Sequence, residues 1–172
     1  MKLYPKLIPS MARDIVHALL DNQDIEIEEE NLMAARGDFE AILNEYNRAE
    51  RDLADVAKDV MAARGWSNTK FSEAKKIAAE TRKLPLGDDA LDYIINQMLE
   101  YMLISPNFDE VFAEDHVMRK RIVDVLRKYS KMNLELDAEV RNRLKHLQEG
   151  TRDWEIAYRK TLEDVQRAKG LV

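Results

Sequence analysis

The chain has 172 residues, with 27 Lys or Arg against 33 Asp or Glu, a formal net charge of −6. Hydrophobic residues make up 45% and charged ones 35%, enough for a buried core under a charged surface, while five glycines and four prolines leave little material for long loops. The lack of cysteine excludes a disulfide framework, a thiolate metal site and a cysteine nucleophile, and the acidic total makes the whole molecule a poor polyanion binder.

The opening MKLYPKLIPSMARD sets two prolines and no apolar run after its first lysine, which argues against a secretory leader and fits a cytoplasmic protein. Leu3, Tyr4, Leu7 and Ile8 are expected to pack on the body of the fold. Met11, Ile15, Val16, Leu19 and Leu20 then recur at helical spacing and predict a helix over about 9–22. The acid-rich DNQDIEIEEEN turns the chain into a second helix at about 28–47, striped by Leu32, Ala35, Phe39, Ile42, Leu43 and Tyr46. Gly37 inside it costs about 1 kcal/mol relative to alanine. A third helix, about 50–64, shows Leu53, Val56, Ala57 and Val60 before Gly65, whose missing Cβ suits a left-handed cap. The fourth, about 68–83, carries Phe71, Ala74, Ile77 and Ala78.

KLPLGDDA at 83–90 is a link, with Asp88 as a helix N-cap. Four more helices follow at about 88–104, 112–130, 134–149 and 152–169. Ser105-Pro106 ends the first, since proline cannot continue the hydrogen-bond ladder, and Asn133 is placed as the cap of the third. Trp154, Ala157, Tyr158, Thr161, Leu162 and Val165 stripe the last. No useful alternating strand pattern occurs, and the most apolar stretch, DYIINQMLEYMLIS at 92–105, is too short and too polar to span a bilayer.

A shift of 83 residues lays one half on the other: IVHALL on MLEYML, FEAILNEY on IVDVLRKY, Leu53 on Leu136 and Phe71 on Trp154, with Gly65 best matched to Gly150. The expected architecture is therefore an all-α helical bundle of two tandem copies of a four-helix unit, residues 5–87 and 88–170. Two stretches add a resemblance. The start MKLYPKLIPSMARDIVHALL and the close AYRKTLEDVQRAKGLV, with Tyr158-Arg159-Lys160 and Ala168-Lys169-Gly170, resemble the bacterial family of domain-of-unknown-function 507, in its doubled form. In the first half only Ala74-Lys75-Lys76 stands at the place of the closing signal. The resemblance implies a small helical cytoplasmic protein and supplies no catalytic residue to carry over.

Chemical signatures are sparse. Among His17, His116 and His146, none follows a glutamate by three, so the Glu-x-x-His pair of a helical di-iron site is missing, and Asp14 with His17 shows that spacing once. The glycines stand alone, so no phosphate-cradling loop exists. These residues suggest neither an enzyme nor a cofactor. The segment VMRKRIVDVLRKYSK, 117–131, sets six bases against one acid. Met118, Ile122, Val125, Leu126 and Tyr129 form its buried stripe, leaving Arg119, Lys120, Arg121, Arg127, Lys128 and Lys131 on an outer arc. A solvated face is the plain reading, followed by contact with a protein partner or a second copy, then nucleic acid. Residues 1–60 hold 14 acids and 7 bases and residues 61–172 hold 19 and 20, so any nucleic-acid contact belongs to the second half. The acidic run DIEIEEE, 24–30, either meets that arc, within the molecule or in a second copy, or complements a helix dipole. Phe71, Tyr129, Trp154 and Tyr158 are expected in the core, with an exposed Trp154 the alternative marking a partner contact. The expectation is a non-enzymatic protein-interaction or scaffold module, with nucleic-acid association through 117–131 as the alternative.

Overall fold

The computed structural model describes residues 3–149 and 151–171. Its helices are α1 (Ile8–Asp21), α2 (Leu32–Arg64), α3 (Phe71–Arg82), α4 (Asp88–Met102), α5 (Asp115–Arg143) and α6 (Arg152–Ala168). The fold is all-α apart from one ladder, in which β1 (Ile25–Glu26) pairs antiparallel with β2 (Glu110–Val111). Helix α1 packs on α2 and α5, α4 packs on the same two, α6 lies on α5, and α3 lies on α2.

The expected break between residues 47 and 50 is absent, and α2 runs unbroken for 33 residues. Arg48-Ala49-Glu50-Arg51 holds no glycine or proline, only residues that favour a helix, so nothing there stops the ladder. The boundary expected near Asn133 fails likewise. Asn133 is 1% exposed inside α5, which continues to Arg143. Among the described residues each half is thus three α-helices and a two-residue strand, not four α-helices. Gly65 does end α2 in the left-handed conformation, at φ 63°. Asp88 is the first residue of α4 rather than its cap, a place taken by Gly87. Gly150, matched above to Gly65, lies outside the described residues.

The main apolar core draws on both halves, from Leu3 to Tyr46 and from Ala90 to Leu144, with Val165 of α6. Leu3, Tyr4, Leu7 and Ile8 are buried in it, as expected. Burial recurs at a spacing of 83: Met11 and Ile94, Ile15 and Met98, Phe39 and Ile122, Leu43 and Leu126, Tyr46 and Tyr129, Leu53 and Leu136 are all buried. At about 1.5 Å per residue α2 is about 50 Å long, so its distal half runs past this core. There it meets α3 through Ala57, Met61, Ala74, Ala78 and Ala79, and the four alanines keep the side chains between the two helices small. No described helix is long and apolar enough to cross a membrane.

Candidate interaction surface

Asp115 opens α5 with a carboxylate in the first turn, where the helix dipole favours it. Met118, Ile122, Leu126 and Tyr129 are then buried at intervals of three and four, which turns the opposite face to solvent. The six bases of the expected arc do not share one fate. Arg119 donates to Asn96 Oδ1 at 2.7 Å and reaches Asp115 at 3.4 Å, which fixes it on the α4 side. Arg121 is turned to the other flank, where its Nε donates to Asp24 Oδ2 at 3.3 Å. Lys120, Arg127, Lys128 and Lys131 are exposed and hold no ion pair among the described residues. Lys120, Arg127 and Lys131 follow one line along the helix, with Asp124 set among them.

The acidic run is divided in the same way. Asp24 is 5% exposed. Its backbone N–H donates to the Leu19 carbonyl at 2.9 Å, and its own carbonyl accepts from Phe112 and Ala113 at 2.9 and 3.1 Å. A carboxylate taken so far from water needs a cation, and Arg121 supplies it. The suspected meeting of acidic run and basic helix is thus made inside the molecule, by one pair. Ile25 and Glu26 enter the ladder, and the Glu28 N–H donates to Asp109 Oδ2 at 2.6 Å. Glu28, Glu29 and Glu30 stay exposed, with Asp109, Glu110 and Glu114 on the neighbouring connection.

Three tyrosines bind distant segments through their hydroxyls, a pattern that periodicity alone does not reveal. Tyr46 donates to the Pro85 carbonyl at 3.0 Å, tying the link to α2. Tyr129 donates to Asp14 Oδ2 at 2.8 Å. Tyr158 bonds Asp137 and lies 3.0 Å from the Tyr4 hydroxyl, joining α5, α6 and the N-terminal segment. Burial pushes all three phenols above their ordinary value, and carboxylates add to it: Glu50 near Tyr46, Asp14 at Tyr129, Asp137 at Tyr158. Burial alone would raise Asp14. Hydrogen bonds from Tyr129 and Arg13, with the charges of Arg13 and Lys128, outweigh it and hold the carboxyl below the usual range.

The remaining candidates are structural or exposed. Arg36 donates to His17 Nε2 at 2.6 Å, so that ring nitrogen is an acceptor, and Asp14 turns instead to Tyr129. His116 lies 3.3 Å from Glu114 at the surface. Trp154 is half-buried, stacked on Tyr158 with ring centroids 5.0 Å apart, and the Arg141 guanidinium lies over its ring at 5.4 Å from the centroid. Its rings are occupied within the fold, as is the half-buried Phe71 on the α2–α3 contact.

No curated protein matches the chain. The model of a family described as "Protein of unknown function (DUF507)" matches residues 1–171. With all but the last residue covered, the chain belongs to the DUF507 family.

Proposed function

We propose that this chain is a non-enzymatic, cytoplasmic interaction module that holds an acidic protein surface against the outer face of α5. One observation carries the reading. Of six bases on that helix, two are neutralised inside the fold, and Lys120, Arg127, Lys128 and Lys131 are exposed and make no ion pair among the described residues, Lys128 alone feeling the charge of Asp14. Such an array steers an acidic partner and fixes its register more than it adds affinity. Four groups with shifted titration support a scaffold: Asp14, Tyr46, Tyr129 and Tyr158 all spend polar atoms on contacts between segments distant in the chain. The cysteine-free composition supports the compartment.

The scaffold itself we read as a duplication of residues 5–87 and 88–170. Burial at matched positions 83 apart supports it. So does the ladder, in which Ile25 meets Val111 and Glu26 meets Glu110. A local offset of 85 residues turns each of those pairs into the other, as a two-fold relation between the halves requires.

Zero-length carbodiimide crosslinking in cell extract tests the proposal, because it joins lysines only to carboxylates in contact. The expected result is partner carboxylates joined to Lys120, Lys128 and Lys131. Nucleic acid is the second reading, favoured by the same line of cations. Duplex DNA or RNA held at physiological salt, with affinity falling steeply as salt rises, and no protein crosslink at these lysines, would replace the first reading by the second.

A further inference from the structure

A cleft of about 300 Å³ opens where α1, α5 and the segment after α6 converge. Ser10 and Arg13 line it from α1, Lys128 and Met132 from α5, with Leu7 and Leu171 as apolar wall. The Nε and Nη2 of Arg13 both donate to Asp14 Oδ1, at 3.1 and 2.9 Å, which leaves Nη1 uncommitted among the described residues. Lys128 makes no ion pair among the described residues, and its charge acts on Asp14. Asp14 is itself held by Tyr129. Among the described residues, Arg13 and Lys128 bring two positive charges to the cleft and the neighbouring Asp14 one negative, an excess of one positive charge.

The matching positions 83 residues away make the contrast informative. There Glu45 stands for Lys128, Ala49 for Met132 and Tyr93 for Ser10, and the cavity encloses only about 70 Å³. One of two equivalent clefts is therefore open and cationic, and the other is small and acidic.

We propose that the cleft at Arg13 and Lys128 binds a single carboxylate carrying a short branched apolar group. The carboxylate sits between the two cations and the Ser10 hydroxyl, and the apolar group lies against Leu7, Met132 and Leu171. The charge count selects a carboxylate over a phosphate dianion, and the apolar wall selects a tail over a bare ion. A free short-chain acid and the C-terminus of a peptide ending in leucine share this chemistry. The site stands apart from the outer stripe of α5, which shares only Lys128 with it.

Titrating the ¹⁵N-labelled full chain with isocaproate tests the assignment. Saturable amide shifts are expected around Ser10–Arg13 and Lys128–Met132 and not around Glu45–Ala49, with no shifts from isocaproamide. Arg13→Gln and, separately, the exposed Lys128→Gln should each weaken binding about three- to fivefold, the worth of one exposed charge pair. The triple change Lys120→Glu, Arg127→Glu, Lys131→Glu should leave this binding unchanged while abolishing the stripe's contacts. A short peptide ending in a leucine carboxylate that binds tighter than isocaproate assigns the site to peptide ends, and one that binds no tighter assigns it to free acids. Absence of saturable shifts from both acids, or equal shifts from the amide, would overturn the proposal.

Discussion

The Tyr129 hydroxyl donates to Asp14 Oδ2 at 2.8 Å, joining residues 115 positions apart and locking α5 to α1. Tyr129→Phe keeps the ring and opens no cavity, so its effect isolates this bond. A loss of about 1–2 kcal/mol is expected, because a partly buried carboxylate then gives up one of its donors. Urea denaturation at neutral pH measures it.

The same contact has a pH signature. Asp14 is depressed in the folded chain, so its contribution is complete above the ordinary carboxylate value of 3.8 and disappears as pH falls below it. Tyr129 is raised, so its contribution is complete below 10.0 and is lost as pH climbs beyond that value. Tyr129→Phe should therefore flatten the stability profile at both ends relative to the native chain. Denaturation midpoints collected across pH test this, and parallel profiles would contradict it.

Two glycines on α2 should respond with opposite signs. A Cβ on Gly37 would meet nothing within 4 Å, so Gly37→Ala should stabilise by about 0.5–1 kcal/mol. Gly65 sits at φ 63°, where an L side chain is strained, so Gly65→Ala should destabilise by about 1–2 kcal/mol. Thermal melts of the two variants decide the matter.

What the residue order discloses is bounded by the range of each signal. The stripes of α1 and α5 are legible, since Ile15, Leu19, Ile122 and Leu126 repeat at the helical period and all are buried. Asn133 misleads because its side chain suits a helix cap, whereas packing buries it in mid-helix. The ladder at Ile25 and Val111 is two residues long, too short for any alternation to register. Arg121 and Asp24 are 97 positions apart, and their pairing leaves no local trace. The basic arc was visible as composition, but which bases stay free depends on those distant partners.

Stability should be uneven along α2. Phe39 is fully buried in the main core, and Phe39→Ala should cost about 3–5 kcal/mol of global stability. Ala78 is equally buried but belongs to the smaller cluster formed by Leu53, Ala78 and Ala79, where Ala78→Leu overpacks by about 1–3 kcal/mol. Native-state hydrogen exchange should show the second change confined to the distal half of α2 and α3, with the main core's protection kept. A uniform loss would contradict the separation of the two cores.

Removing Arg121 should leave the Asp24 carboxylate buried and unpaired. Arg121→Leu is expected to cost about 1–3 kcal/mol, below the figure for a fully buried pair because the arginine is partly solvated. Faster amide exchange at Phe112 and Ala113, which donate to the Asp24 carbonyl, should accompany it.

The outer face of α5 is tested most directly by paired affinity purification of the native chain and Lys120→Glu, Arg127→Glu, Lys131→Glu, with melting temperatures compared beforehand. A protein held in stoichiometric amount by the native chain and lost by an equally stable variant is the predicted result. Retention of the same protein by both, or by neither, would contradict the assignment of that face.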